Sequence, residues 1–100
     1  METRKVTLEE ALDVLREIHQ TRHYFGATAR KKGTDKLREF MAKPVEDSLN
    51  QLEHDNFLVK DRQENGTFQY RTINLTGLHE IRYNGVKYVL DTPNPSIVNI

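Results

Sequence analysis

The stretch that decides the fold is Pro44–Leu75, PVEDSLNQLEHDNFLVKDRQENGTFQYRTINL. Its first part predicts a helix over residues 44–55, because apolar side chains recur there at helical spacing: Val45, Leu49 and Leu52. From Asn56 the apolar period changes to two, and the segments FLVKDR and FQYRTINL predict two strands on either side of QENGT. Asn65-Gly66 favours a tight turn between them. The stretch therefore predicts a helix that leads into a β-hairpin.

An amphipathic helix is predicted over residues 8–22. Thr7 and Glu10 have the spacing of a capping box, in which the hydroxyl and the carboxylate each accept from the other residue's backbone amide. The apolar side chains that follow share one face at spacings of three and four: Leu8, Ala11, Leu12, Leu15 and Ile18. His19 and His23 have the spacing of two metal ligands, but neither a third ligand nor the carboxylate base of an HExxH hydrolase accompanies them. We therefore predict no metal site.

A second, short helix is predicted over residues 34–42. Thr34 can cap it, and its buried side would carry Leu37, Phe40 and Met41. Pro44 disfavours a helical Lys43 and suits the first position of the next helix, which predicts a helix-turn-helix. The preceding segment GATARKKG, residues 26–33, has no clear period and is predicted as a loop or an irregular turn of helix.

A helix-turn-helix followed by a hairpin resembles the recognition helix and wing of winged helix-turn-helix domains. The resemblance implies an α+β fold, a single winged-helix domain over residues 1–100 with three N-terminal helices and an antiparallel hairpin wing. Residues 1–6 and 91–100 would be extended or flexible ends. For residues 77–90 a second hairpin around Asn84-Gly85 is the preferred prediction, and a short helix over residues 76–83 is the alternative.

Composition narrows the class of protein. The 100 residues contain no cysteine, which excludes a disulfide framework, a thiolate nucleophile and a Cys-based zinc site. No apolar run has the roughly 18–20 residues that cross a bilayer, and the N-terminus lacks the apolar region of a secretory signal. We therefore expect a cytoplasmic protein without membrane contact. The absence of a recognisable nucleophile–base pair predicts that it is not an enzyme, with no catalytic residues and no cofactor.

The resemblance implies binding to double-stranded DNA by a small transcriptional regulator that uses the helix at 44–55 and a wing at 60–71. The net charge is zero, but residues 22–43 carry seven basic and two acidic side chains, a net charge of +5. By position within the resemblance, backbone contacts are assigned to Arg30, Lys31, Lys32, Lys36, Arg38 and Lys43. Base-edge reading is assigned to Asn50 and Gln51, and wing contacts to Lys60, Arg62 and Arg71.

The alternative is a winged-helix protein-interaction module or adaptor subunit that binds no DNA. Glu46 and Asp47 favour it, because two acids at the start of the third helix would face a groove walled by phosphates. The apolar residues of the tail, Ile97, Val98 and Ile100, could dock on a protein partner or form a homodimer.

Overall fold

The computed structural model describes residues 1–31 and 33–91, and for Gln51, Glu53 and His54 it describes the backbone alone. Within these residues, one α-helix packs against a sheet of seven strands, and the elements follow the chain in this order: β1 (Glu2–Val6), α1 (Leu8–Thr21), β2 (Phe25–Arg30), β3 (Leu37–Pro44), β4 (Asn56–Arg62), β5 (Phe68–Asn74), β6 (Leu78–Tyr83) and β7 (Val86–Leu90). Two 3-10 segments, Ser48–His54 and Leu75–Gly77, connect β3 to β4 and β5 to β6.

All seven strands belong to one mixed sheet with the order β1-β7-β6-β2-β3-β4-β5. Neighbouring strands are antiparallel except β1 and β7, which pair in parallel from Glu2 opposite Val86 to Val6 opposite Leu90. Residues 2–6, expected as an extended end, are therefore one edge of the sheet, and β5 is the other. The tail residues 92–100, with the proposed docking side chains, lie outside the described residues.

The helix α1 confirms the predicted amphipathic helix over residues 8–22 and supplies one side of the core. Both capping-box hydrogen bonds are present, and Arg22 ends the helix with φ 60° and donates its amide to the Ile18 carbonyl. Buried side chains of α1 meet the inner face of the sheet, where Phe57 is fully buried and meets the Phe25 ring edge-on at 6.1 Å. Because these side chains come from both layers, packing of the helix on the sheet holds the fold together.

The predicted winged-helix fold with three N-terminal helices is wrong. Over residues 1–31 and 33–91, the chain forms a seven-stranded sheet with one α-helix. The loop predicted at residues 26–33 and the helix predicted at 34–42 are the hairpin of β2 and β3, paired from Phe25 opposite Ala42 to Arg30 opposite Leu37.

The side chains of β2 and β3 explain why these strands were predicted as a loop and a helix. On β2 the inward side chains Ala27 and Ala29 are small, so little hydrophobic contrast marks a period of two. On β3 the inward residues are Phe40, Ala42 and Pro44, while Leu37 and Met41 are about half exposed. Three apolar residues at positions 37, 40 and 41 match a helical face, and pairing with neighbouring strands overrides that short local pattern.

The predicted recognition helix at residues 44–55 is a turn followed by the 3-10 segment Ser48–His54. Pro44 ends β3 opposite Val59 instead of beginning a helix. The Ser48 hydroxyl accepts the Val45 amide at 2.8 Å and donates to the Leu58 carbonyl. If the β3–β4 pairing continued beyond Pro44 and Val59, the Val45 amide would lie opposite the Leu58 carbonyl. The Ser48 hydroxyl therefore replaces the backbone hydrogen bond that would join these two groups.

Both predicted hairpins are confirmed as hairpins within the sheet. β4 and β5 pair from Asn56 opposite Asn74 to Arg62 opposite Phe68. β6 and β7 are joined by Asn84-Gly85, both with positive φ as a two-residue type I′ turn requires. The hairpin is thus correct for residues 77–90, and the alternative helix is not formed.

The sheet is strongly curved, which brings the end of β5 close to the end of β2. β3 pairs with β4 over Ala42–Pro44 only. The earlier part of β3, which pairs with β2, therefore separates from the β4–β5 hairpin. β5 is joined to β6, the neighbour of β2, by the 3-10 segment Leu75–Gly77 alone. A Cβ on Gly77, the last residue of this segment, would be 3.0 Å from the Arg30 carbonyl oxygen of β2. A groove is left between the free edge of β5 and the ends of β2 and β3.

Candidate nucleic-acid interface

This groove, called the basic groove below, has a volume of about 530 Å³. Its lining residues come from β2, β3, β4 and β5 and from the residue after β2: Ala29, Arg30, Lys31, Arg38, Phe40, Asn56, Tyr70, Arg71, Thr72 and Asn74. Four of the ten carry a positive charge, and none of these ten described residues is acidic. Side chains of one sign along a concave surface concentrate their electrostatic potential there, which favours an anionic ligand.

Strand geometry positions two of the arginines. Arg38 lies on the inward side of β3 beside Phe40, and its guanidinium carbon is 5.8 Å from the centroid of that ring. Arg71 shares the inward face of β5 with buried Ile73 and remains 25% exposed. Half-burial against an aromatic ring or the core restricts both side chains, so less conformational entropy is lost when a ligand binds.

The Arg71 charge is partly balanced by Asp61, which is 5% exposed. The Nε of Arg71 lies 3.4 Å from the Asp61 Oδ2, and its Nη2 donates to the Gln69 Oε1 at 2.8 Å. The other carboxylate oxygen of Asp61 accepts the Met41 amide at 3.2 Å. Asp61 lies on the inward face of the neighbouring strand β4 and partly neutralises Arg71, so the unbalanced positive charge of the basic groove comes from Arg30, Lys31 and Arg38.

Aromatic and cationic side chains alternate on the outer face of the sheet. Lys43 on β3 is opposite Lys60 on β4, which is opposite Tyr70 on β5. The Lys60 Nζ is 5.6 Å from the centroid of the Tyr70 ring, which is nevertheless 66% exposed. Nearby, Tyr24 and Phe68 stack with centroids 6.2 Å apart, and the Lys43 Nζ is 5.8 Å from the Tyr24 ring.

A second depression of about 490 Å³ adjoins this face. Lys43 and Lys60 line it together with the carboxylate-bearing Glu46 and Asp47. The two acids weaken its attraction for phosphates, whereas the basic groove has none. Tyr70 lines both depressions and therefore stands at the boundary between them.

The structure separates the predicted DNA-contacting residues into groups. Arg30, Lys31, Arg38 and Arg71 meet in the basic groove, and Lys43 and Lys60 meet in the second depression. Arg62 lies with Arg38 in a smaller depression that also contains carboxylates, and Lys36 is exposed between β2 and β3.

Of the two predicted base-reading residues, Asn50 does not join these groups. Asn50 lies beside Leu12 and Arg16 of α1, away from the basic groove, and bonds Asp47. The prediction that Asn50 and Gln51 read bases from a recognition helix loses its basis because that helix is absent. The side chain of Gln51 and all of Lys32 lie outside the described residues.

Tyr70 is the residue that the sequence assignment missed. The alternation in FQYRTI places Phe68, Tyr70 and Thr72 on the face opposite Ile73, which is buried. That pattern could have indicated an exposed aromatic side chain next to Arg71 along the strand. The edge position of β5, which lets Tyr70 border the groove, could not be derived from the strand itself.

The part of the chain that the structure describes shows no metal site and no membrane-spanning helix. Among the side chains that the structure describes, which exclude those of Glu53 and His54, no group of three or more His, Asp or Glu could hold a metal ion. His19 approaches the Glu46 carbonyl oxygen at 3.2 Å through Nε2. In the same part of the chain, no helix has the length and apolar character to cross a membrane.

Comparison with protein-family models, with curated proteins and with solved structures finds no match to this chain.

Proposed function

We propose that this protein binds nucleic acid through the basic groove, by contacts to the phosphate backbone. The observation that carries the proposal is that Arg30, Lys31, Arg38 and Arg71 line one concave surface without an acidic neighbour among the lining residues. Phosphate contacts by Arg and Lys supply most of the affinity of sequence-independent binding. With no helix to enter a DNA groove at residues 44–55, the proposed binding is general rather than sequence-specific.

The three cations that Asp61 does not balance, Arg30, Lys31 and Arg38, define the expected salt dependence. Each phosphate contact contributes about −0.7 to the slope of log K against log salt for a single strand and about −0.9 for a duplex. Three contacts predict slopes of about −2.1 and −2.7, so single-strand affinity would fall about 20-fold between 50 and 200 mM salt. A transcriptional role would require a preferred sequence in addition, and it stays a prediction.

The experiment measures fluorescence anisotropy of a labelled 20-nucleotide deoxythymidine strand and of a random-sequence 20-base-pair duplex over this salt range. Arg30→Gln, Lys31→Gln and Arg38→Gln should each weaken binding and reduce the slope by about 0.7–0.9. Lys5→Gln is the matched control, because it removes one exposed positive charge from β1, at the opposite edge of the sheet from β5. Absence of binding to both probes at 50 mM salt, or equal effects of Lys5→Gln and the groove variants, would overturn the proposal.

A protein-interaction module is the second candidate, and one observation favours it. β5 is an edge strand, and its outward residues Phe68 and Tyr70 are 46% and 66% exposed. An extended segment of another protein can add to such an edge by backbone hydrogen bonds. Light scattering of the purified protein tests the simplest case, addition of a second copy, and a monomer at all concentrations would count against that case.

A further inference from the structure

We infer that the nucleic acid held in the basic groove is single-stranded, with one unpaired base stacked on the ring of Tyr70. This inference rests on the proposed function and specifies its ligand. The first step is the position of Tyr70. The residue lines the groove, and its ring lies on the outer face of the edge strand β5. A strand that crosses the edge of β5 can therefore place phosphates at Arg38 and Arg71 and a neighbouring base on this ring.

The second step is the state of the ring. Tyr70 is 66% exposed, more than Tyr24 or Phe68, which already stack on each other. The Lys60 ammonium lies over the Tyr70 ring, and the residue as a whole still exposes most of its surface. A base that stacks on the ring would lie beside this ammonium, where its flanking phosphate finds a counter-charge.

The third step excludes a duplex as the preferred ligand. Bases in a duplex stack on each other, and an aromatic side chain meets their faces only after they are unpaired. The described residues offer no α-helix at the groove that could enter a major groove, because α1 packs against the inner face of the sheet. A positively charged groove beside an open aromatic ring is the usual combination in proteins that bind single strands without sequence preference.

The test compares wild type, Tyr70→Ala and Tyr70→Phe on three probes: the labelled 20-nucleotide deoxythymidine strand, the 20-base-pair duplex, and inorganic polyphosphate as a polyanion without bases. Tyr70→Ala should weaken single-strand binding about 5- to 150-fold, the range for one stacked base. Tyr70→Phe keeps the ring and should remain within about twofold of wild type. Polyphosphate binding should be equal in all three proteins, and wild type should prefer the single strand to the duplex at equal salt.

Intrinsic fluorescence gives a second readout, because the chain has four tyrosines and no tryptophan. Stacking of a base on Tyr70 should quench part of this emission in wild type. Tyr70→Phe should lose that part of the quenching while it keeps its affinity. Leu8→Ala, which truncates an apolar side chain that is 42% exposed on α1, is the control for nonspecific effects of removing surface area.

The outcomes separate the two proposals. If the groove variants weaken binding but Tyr70→Ala binds the single strand as wild type does, or the duplex binds equally well, the single-strand inference is overturned and the proposed function stands. If Tyr70→Ala weakens polyphosphate binding as much as single-strand binding, Tyr70 acts by shaping the groove, and stacking of a base on its ring is refuted. If none of the three probes binds wild type at 50 mM salt, both proposals fail.

Discussion

Replacement of Ser48 by alanine should destabilise the protein strongly, although it removes a single oxygen atom. Ser48 is completely buried, and its hydroxyl joins the Val45 amide to the Leu58 carbonyl where β3 leaves β4. Alanine fits the same space but leaves a backbone donor and a backbone acceptor without their partner.

The magnitude follows from these two groups. A buried polar group that loses its partner costs about 1–3 kcal/mol, so two such groups set an upper range of about 2–6 kcal/mol. Val45 and Leu58 are themselves only half-buried, so water or a small shift of β3 can restore part of this loss. We therefore expect a loss of about 2–4 kcal/mol in the free energy of unfolding, which would lower the melting temperature by about 8 °C or more.

Urea denaturation followed by circular dichroism measures this free energy directly. Asn50→Ala, in the same segment, is the matched control, because Asn50 is exposed and bonds only the neighbouring Asp47 through its side chain. Its effect should stay within about 0.5 kcal/mol. A Ser48→Ala variant as stable as the control would refute the role assigned to the hydroxyl and would indicate that Val45 and Leu58 bond each other directly.

Three further substitutions test other parts of the fold by the same denaturation assay. Asp61→Ala should lower the free energy of unfolding by about 2–3 kcal/mol, because it leaves the partly buried Arg71 and the Met41 amide without their partner. Asp61→Asn should lower it less, since it keeps an oxygen that accepts from the Met41 amide. Equal losses in the two variants would argue against the hydrogen bond from Met41 to Asp61. Thr7→Ala should cost about 1 kcal/mol by removing the helix cap, and no loss would mean that solvent replaces the cap. Gly77→Ala should cost about 1–3 kcal/mol because its Cβ would press on the Arg30 carbonyl, and a stability gain would contradict this close approach.

Elements whose stability is encoded locally could be predicted from the sequence. The helix α1 has a capping box and one continuous apolar face, and the β6–β7 hairpin has Asn84-Gly85 between strand-forming residues. In the β4–β5 hairpin, burial alternates clearly along β4. In these segments the local preference and the final packing agree, so pattern and structure coincide.

The β2–β3 hairpin and the 3-10 segment could not be predicted because their structure depends on distant partners. Ala27 and Ala29 become strand residues only when β3 and β6 pair with β2 on both sides. The helical spacing of Val45, Leu49 and Leu52 is real, but Ser48 is fixed to β4 and prevents a regular α-helix. Tertiary contacts override a weak local propensity in both cases.

The candidate site was predictable in composition but not in arrangement. The excess of positive charge in residues 22–43 identified three of the four cations in the basic groove. Which of the basic residues come together depends on the curvature of the sheet, because that curvature places the end of β2 next to β5. The role of Tyr70 follows from the same curvature and from the strand order, neither of which a single strand encodes.

The parallel pairing of β1 with β7 has a consequence for how the chain reaches this structure. Each of the three hairpins joins strands that are close in sequence, so loop closure costs them little and they can form early. β1 precedes the other described strands in the chain, yet its partner among them begins at Val86. The Glu2 amide and the Val6 carbonyl must wait for Gly85 and Asp91 to complete the ladder. Folding should therefore end with β1 docking on an otherwise formed sheet, and the rate of this last step should depend little on the strength of the hairpin turns.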